Sequence, residues 1–120
     1  MSKVVIRGHE FEFDGLDLDA LSTYSDAEKN IRSVLESVNS LAENPNLDDL
    51  TTVFKGLVAY FDKVLGKGSL MKVLDGKRNL GEALDAYYDL RDSVLAENTT
   101  KAAEIAKRAQ VPDAFKSVRK

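Results

Sequence analysis

The chain has 120 residues, 43% of them hydrophobic and 31% charged, with a net charge of −3 and no cysteine. That is one domain with enough apolar material for a core, so wholesale disorder is excluded, as are disulfides, zinc–thiolate centres, iron–sulfur clusters and thiol nucleophiles. The longest unbroken apolar stretch, Leu57 to Phe61, is far short of the roughly 20 residues of a membrane span. Met1-Ser2-Lys3 opens onto only Val4-Val5-Ile6, which predicts no secretory leader. The expectation is a soluble cytoplasmic protein.

Lys3 to Phe13 predicts a β-hairpin turning at Gly8-His9, with Val5, Phe11 and Phe13 in its alternating or β-branched stretches. Phe11 and Phe13 are expected to face a core, and Glu10 and Glu12 to face water. Two strands are marginal alone, so helices must cover that aromatic face. From Leu18 the apolar period becomes helical, through Leu21, Tyr24, Ala27, Ile31, Val34, Leu35, Val38 and Leu41. Asp17 is the expected cap of that helix. Ser25-Asp-Ala-Glu28 is itself a capping-box pattern that predicts a restart or kink. Asn44-Pro45 ends the segment.

Asn46 is expected to cap a second helix carrying Leu47, Leu50, Val53, Phe54, Leu57, Val58, Phe61, Val64 and Leu65, stopped by Gly66 and Gly68. A short third helix follows over Ser69 to Asp75, stopped by Gly76. Asn79 and Glu82 begin a fourth, with Leu80, Leu84, Tyr87, Tyr88, Leu90, Val94 and Leu95 on its apolar positions. Thr100 begins a last one bearing Ala102, Ile105, Ala106 and Ala109, interrupted at Val111-Pro112. The predicted class is therefore mainly α (α+β): an N-terminal β-hairpin followed by four to five packed helices in one compact domain. Residues 1–98 form the hairpin and helical domain, and residues 99–120 a basic, partly mobile C-terminal helical tail.

Charge is distributed unevenly. Glu10 to Asp49 carries 11 acids and 2 bases, whereas Thr99 to Lys120 carries 6 bases and 2 acids. A net-acidic body disfavours a broad nucleic-acid face, because phosphate binding needs clustered cations. The basic residues Lys101, Lys107, Arg108, Lys116, Arg119 and Lys120 are the candidate contacts with a partner or with another copy of the chain.

Little in the sequence suggests chemistry. His9 is the one histidine, at a predicted turn, without the neighbours a triad or metal site requires. Gly66-Lys-Gly-Ser69 lacks the upstream glycine and the Lys-Ser/Thr pair of a phosphate loop, and follows a helix instead of a strand; a Gly stop and a Ser cap account for it. Asp17, Asp19, Asp26, Asp48 and Asp49 do not match a calcium loop, and sit where helix starts favour acids. No enzymatic activity, metal or cofactor is expected. Ala102 to Pro112 is similar to the first half of a helix-turn-helix, with Phe115, Lys116, Val118, Arg119 and Lys120 opening a recognition helix that the sequence leaves one or two turns long. A small DNA-binding regulator is the alternative reading.

One family resemblance runs through residues 3 to 97. It is carried by Phe11-Glu-Phe13, Leu18-Asp-Ala-Leu-Ser-Thr-Tyr24, Phe61-Asp-Lys-Val-Leu-Gly-Lys-Gly-Ser69, Val73-Leu-Asp-Gly76, Asn79-Leu80 and the pair Tyr87-Tyr88. Together these resemble the small tail assembly chaperones of long-tailed phages and prophages of Gram-positive bacteria. The resemblance implies a non-enzymatic protein of the host cytoplasm. Its expected partners are the tape measure protein, held while the tail tube protein polymerises, and the chaperone is absent from the mature virion. It also implies a minor frameshifted product with a C-terminal extension. The basic end beyond Asn98 lies outside the resemblance. A tape measure exposes helix-forming apolar surface that would aggregate uncovered, and a helical domain with a Leu/Val/Phe groove can cover it. The opposite charges of the acidic front and basic end predict self-association.

Overall fold

In a computed structural model, residues 3–41, 43 and 45–109 are described. Two strands, β1 (Lys3–Ile6) and β2 (His9–Glu12), form an antiparallel hairpin. Five helices follow: α1 (Leu18–Glu36), the single turn α2 (Val38–Leu41), α3 (Leu47–Leu65), α4 (Ser69–Val73) and α5 (Leu80–Arg108). The fold is mainly helical with an N-terminal hairpin, as the apolar periods require.

The hairpin turns one residue earlier than expected. Ile6 pairs with His9, leaving Arg7 and Gly8 as the turn, with φ of 50° and 85°. Both central residues are left-handed, the geometry that matches the twist of two adjacent strands and that Gly8 adopts without steric cost. A one-residue shift exchanges the two faces of a strand. Val4 and Ile6 are therefore buried, and Val5 points to water at 45% exposure. Phe13 is buried and Phe11 half-buried, while Glu10 and Glu12 are exposed. β1 lies on α5, where Ser93 Oγ donates to the Val5 carbonyl at 2.9 Å and Arg7 reaches Glu82 Oε1 at 3.2 Å.

Asp17 caps α1 through bonds from the Asp19 and Ala20 amides. Asn46 caps α3 by accepting from the Asp49 amide, and Asn79 caps α5 by accepting from the Glu82 amide. α1 does not restart at Ser25. It runs unbroken to Glu36 because Glu28, the reciprocal acid of a capping box, turns inward to other partners instead. Leu18 and Leu47, on the predicted stripes, are 78% and 77% exposed, since each opens its helix ahead of the packed turns.

Ser69 is buried and caps nothing. Its hydroxyl donates to the Phe61 carbonyl at 2.9 Å, while Gly68 occupies the cap position and its amide is held by Asp62 Oδ1. α4 ends at Val73 rather than Asp75, and Gly76 closes it by bonding back to the Met71 carbonyl. The largest revision concerns Thr100. No helix begins there, because α5 passes through Asn98-Thr99-Thr100 without a break. Tyr88 and Leu95, assigned to its apolar stripe, are exposed. The predicted interruption at Val111-Pro112 lies outside the described residues.

The core is one cluster. Leu57, Phe61, Leu70 and Leu90 are fully buried at its centre with Ile6, Val53 and Tyr87 around them. α1 packs antiparallel to α3, Glu28 meeting Tyr60 and Val34 meeting Gly56, and α3 packs in turn on α5.

Candidate functional site

Glu28 on α1 holds the polar centre of the helix layer. Tyr60 of α3 donates its hydroxyl to Glu28 Oε2 at 2.5 Å, and Tyr87 of α5 donates to the same oxygen at 3.0 Å. Arg91, one turn beyond Tyr87, lies 3.5 Å from Glu28 Oε1 and sits over the Tyr87 ring at 5.7 Å. Edge-to-face contacts link Phe13, Tyr24, Tyr60 and Tyr87 around the carboxylate, with centroids 6.3, 6.4 and 5.1 Å apart. One carboxylate thus ties three helices together, and two of the tyrosines donate to it.

The electrostatics keep the tyrosines of this cluster protonated. Burial first, and then hydrogen bonding to Glu28, hold the Tyr60 hydroxyl far above its ordinary pKa. Burial and the charge of Glu28 hold Tyr87 well above it too, and burial raises Tyr24. For Arg91, burial pulls its pKa down, but Tyr87 and Glu28 more than offset that. The Tyr60 and Tyr87 hydroxyls are therefore donors at neutral pH and tie their helices to Glu28. His9 is half-buried at the start of β2, away from this cluster. Among the described residues, no three His, Cys, Asp or Glu side chains gather as metal ligands would. Among the described residues, no helix is long and apolar enough to cross a membrane.

Next to the clamp, α1 and α5 diverge into an open groove of about 480 Å³, lined by Leu21, Tyr24, Val94 and Leu95, with Arg91, Asp92 and Asn98 at its polar margin. Leu95 is 66% exposed. At Asn98, on the margin of the groove, the loop before α1 meets α5 through Gly15. Its amide donates to Glu97 Oε2 at 3.1 Å, and its carbonyl accepts from Asn98 Nδ2 at 2.7 Å. A Cβ on Gly15 would lie 2.6 Å from the Asn98 amide nitrogen, so only glycine fits this approach.

Of the basic residues expected to make contacts, Lys101, Lys107 and Arg108 lie on the last turns of α5, with Lys101 half-buried and the other two exposed. Lys116, Arg119 and Lys120 lie outside the described residues. The Glu28 clamp was not anticipated from sequence. Its signal is the spacing: Tyr24 stands four residues before Glu28, and Tyr87 four before Arg91, each placing an aromatic and a charge on one helix face.

The sequence profile of DUF6673, a family of unknown function, matches residues 7–119. The chain belongs to that family. The matched stretch spans the hairpin's second strand, every helix and the basic end. Residues beyond Asn98, which the phage resemblance leaves out, are thus part of DUF6673. No curated protein matches the chain, and no solved structure does.

Proposed function

We propose that the protein is a non-enzymatic phage tail assembly chaperone, working in the cytoplasm of the bacterial host and left out of the finished virion. On this reading it binds helical segments of the tape measure protein and keeps them covered while the tail tube polymerises. The observation that carries the reading is the α1–α5 groove. Leu21, Tyr24, Val94 and Leu95 offer an apolar strip between two helices, with charged and amide groups only at its margin. An amphipathic helix recognises such a strip through side chains spaced three, four and seven residues apart. The Glu28 clamp supports a binding module, since its bonds to Tyr87 hold α1 and α5, the two walls of the groove, at a fixed separation.

Co-expression with the tape measure protein of a long-tailed phage tests the proposal. The expected result is a co-purifying complex that Leu21→Asp with Leu95→Asp abolishes while the circular dichroism melt is preserved. A complex that survives both substitutions would remove the groove from the interface. No complex, together with a salt-dependent shift of duplex DNA, would replace the chaperone by the DNA-binding regulator.

A further inference from the structure

Beyond Asn98, α5 runs past the beginning of α1. Gly15 meets Glu97 and Asn98, and α1 then travels back along α5, bringing Glu28 to Tyr87 and Arg91. Thr99 to Arg108 therefore has no α1 beside it, and these ten residues overhang by about 15 Å. The stripe that is buried in the body at Leu90 and Val94 continues at helical spacing through Lys101, Ile105 and Arg108. Ile105 is 46% exposed. The structure thus has a wall shaped like a core-facing surface, but built of cations flanking one isoleucine.

Below the wall is a floor of opposite sign. The loop and first turn of α1 present Asp14, Asp17 and Asp19, all exposed, around the exposed Leu18. Residues 99–109 carry three bases and one acid, against three acids and no base over residues 14–19. Among the described residues, none of Lys101, Lys107, Arg108 or Asp19 is in an ion pair. The overhang buries none of its apolar side chains, so its stripe is open to a partner. The acidic floor repels a phosphate backbone, which disfavours nucleic acid as that partner.

We propose that two copies of this chain pair about a two-fold axis by interlocking these notches. A basic wall joined to an acidic floor is self-complementary under such an axis, because each surface meets its opposite in the other copy. Each tip, with Lys107 and Arg108, lies over the floor of the other copy, covering its exposed Leu18. The helix dipoles agree, since the negative end of one α5 meets the positive end of the other α1. The apolar content is small, so charge carries the association and salt weakens it. The pairing does not depend on which partner fills the groove.

Sedimentation velocity on the full chain tests this, at about 50 mM and about 500 mM NaCl, a range over which the screening length shortens severalfold. The wild type should be a dimer at low salt and shift towards monomer at high salt. Lys101→Glu/Lys107→Glu/Arg108→Glu should be monomeric at both. So should Asp14→Asn/Asp17→Asn/Asp19→Lys, in which Asn keeps the turn and cap acceptors. Combining all six substitutions restores opposite signs and should restore the dimer at low salt. Circular dichroism melts confirm that each variant is folded. A wild type monomeric at low salt, a tip variant as dimeric as the wild type, or a combined variant that stays monomeric would each overturn the pairing. Growth into open-ended polymers would overturn the closed two-fold arrangement.

Discussion

α5 is one helix in two environments, and the contrast shows what sustains helicity in each. From Leu80 to Asn98 the sequence intersperses strong helix formers with weak ones, among them Gly81, Asp85, Asp89, Asp92, Ser93 and two tyrosines. It is helical because Ala83, Ala86, Tyr87, Leu90 and Val94 are buried against the hairpin and the other helices. From Thr99 to Arg108 nothing comparable is buried, but after two threonines the composition is Lys, Ala, Ala, Glu, Ile, Ala, Lys, Arg, nearly all strong formers. Packing holds the first part, and local propensity extends a helix already nucleated into the second.

The comparison is most directly broken by truncating side chains in the core that holds the first part. Leu90→Ala and Phe61→Ala remove fully buried groups and should cost about 2–5 kcal/mol in urea melts, with Phe61→Ala at the upper end. A loss below about 1 kcal/mol for either would mean that the core is not where the structure has it.

Gly15→Ala probes the place where the packed part of α5 stops. Its Cβ would meet backbone atoms 2.6–2.8 Å away, which a rotamer change cannot relieve. The expected destabilisation is about 1–3 kcal/mol, the usual range for an overpacked site. A neutral melt would show that the loop and α5 are further apart than described.

Within the packed part, Tyr60→Phe deletes one donor to Glu28 and should cost about 1–2 kcal/mol. The same cluster sets an alkaline limit. Tyr24, Tyr60 and Tyr87 all have folded pKa values above the ordinary 10.0. Above about pH 10 the unfolded chain therefore releases these protons while the folded chain keeps them, and stability falls as pH rises. Melting temperature should be insensitive to tyrosine between about pH 7 and 9 and decline beyond about 10. Tyr60→Phe/Tyr87→Phe should decline less steeply. An equal decline in both proteins would separate the clamp from the alkaline transition.

The smallest effect belongs to the overhang. Ile105→Ala, measured at dilutions where the chain is monomeric, should change stability by less than about 0.5 kcal/mol. Amide exchange should be fast from Lys101 to Arg108 and slow from Ala83 to Val94. Equal protection on both sides of Asn98 would erase the distinction.

Elements governed by local chemistry were legible in the sequence. The caps Asp17, Asn46 and Asn79, the stripe of α3 and the stop at Gly66 follow from side chains acting on nearby backbone. Features decided at a distance were not. A Gly-X turn at Gly8-His9 and a left-handed pair at Arg7-Gly8 both satisfy Gly8; packing on α5 decides that Val4 and Ile6 turn inward. Asn98-Thr99-Thr100 has the composition of a helix start, but caps act only where a helix is beginning. Glu28 resembled a capping acid because its real partners lie 32 and 59 residues away. Leu18 and Leu47 obey the period of their helices, and periodicity does not say where the neighbouring layer ends.

The hydrogen bonds from Ser93 to Val5 and from Asn98 to Gly15 span 88 and 83 residues, so the first element to be made is completed by the last. At about 5–20 residues per second of synthesis, the hairpin waits roughly 4–18 s for its cover, with Val4, Ile6 and Phe13 unprotected on the nascent chain. Two strands do not hold together unaided for that time. The order of translation therefore leaves the hairpin uncovered until α5 has been made.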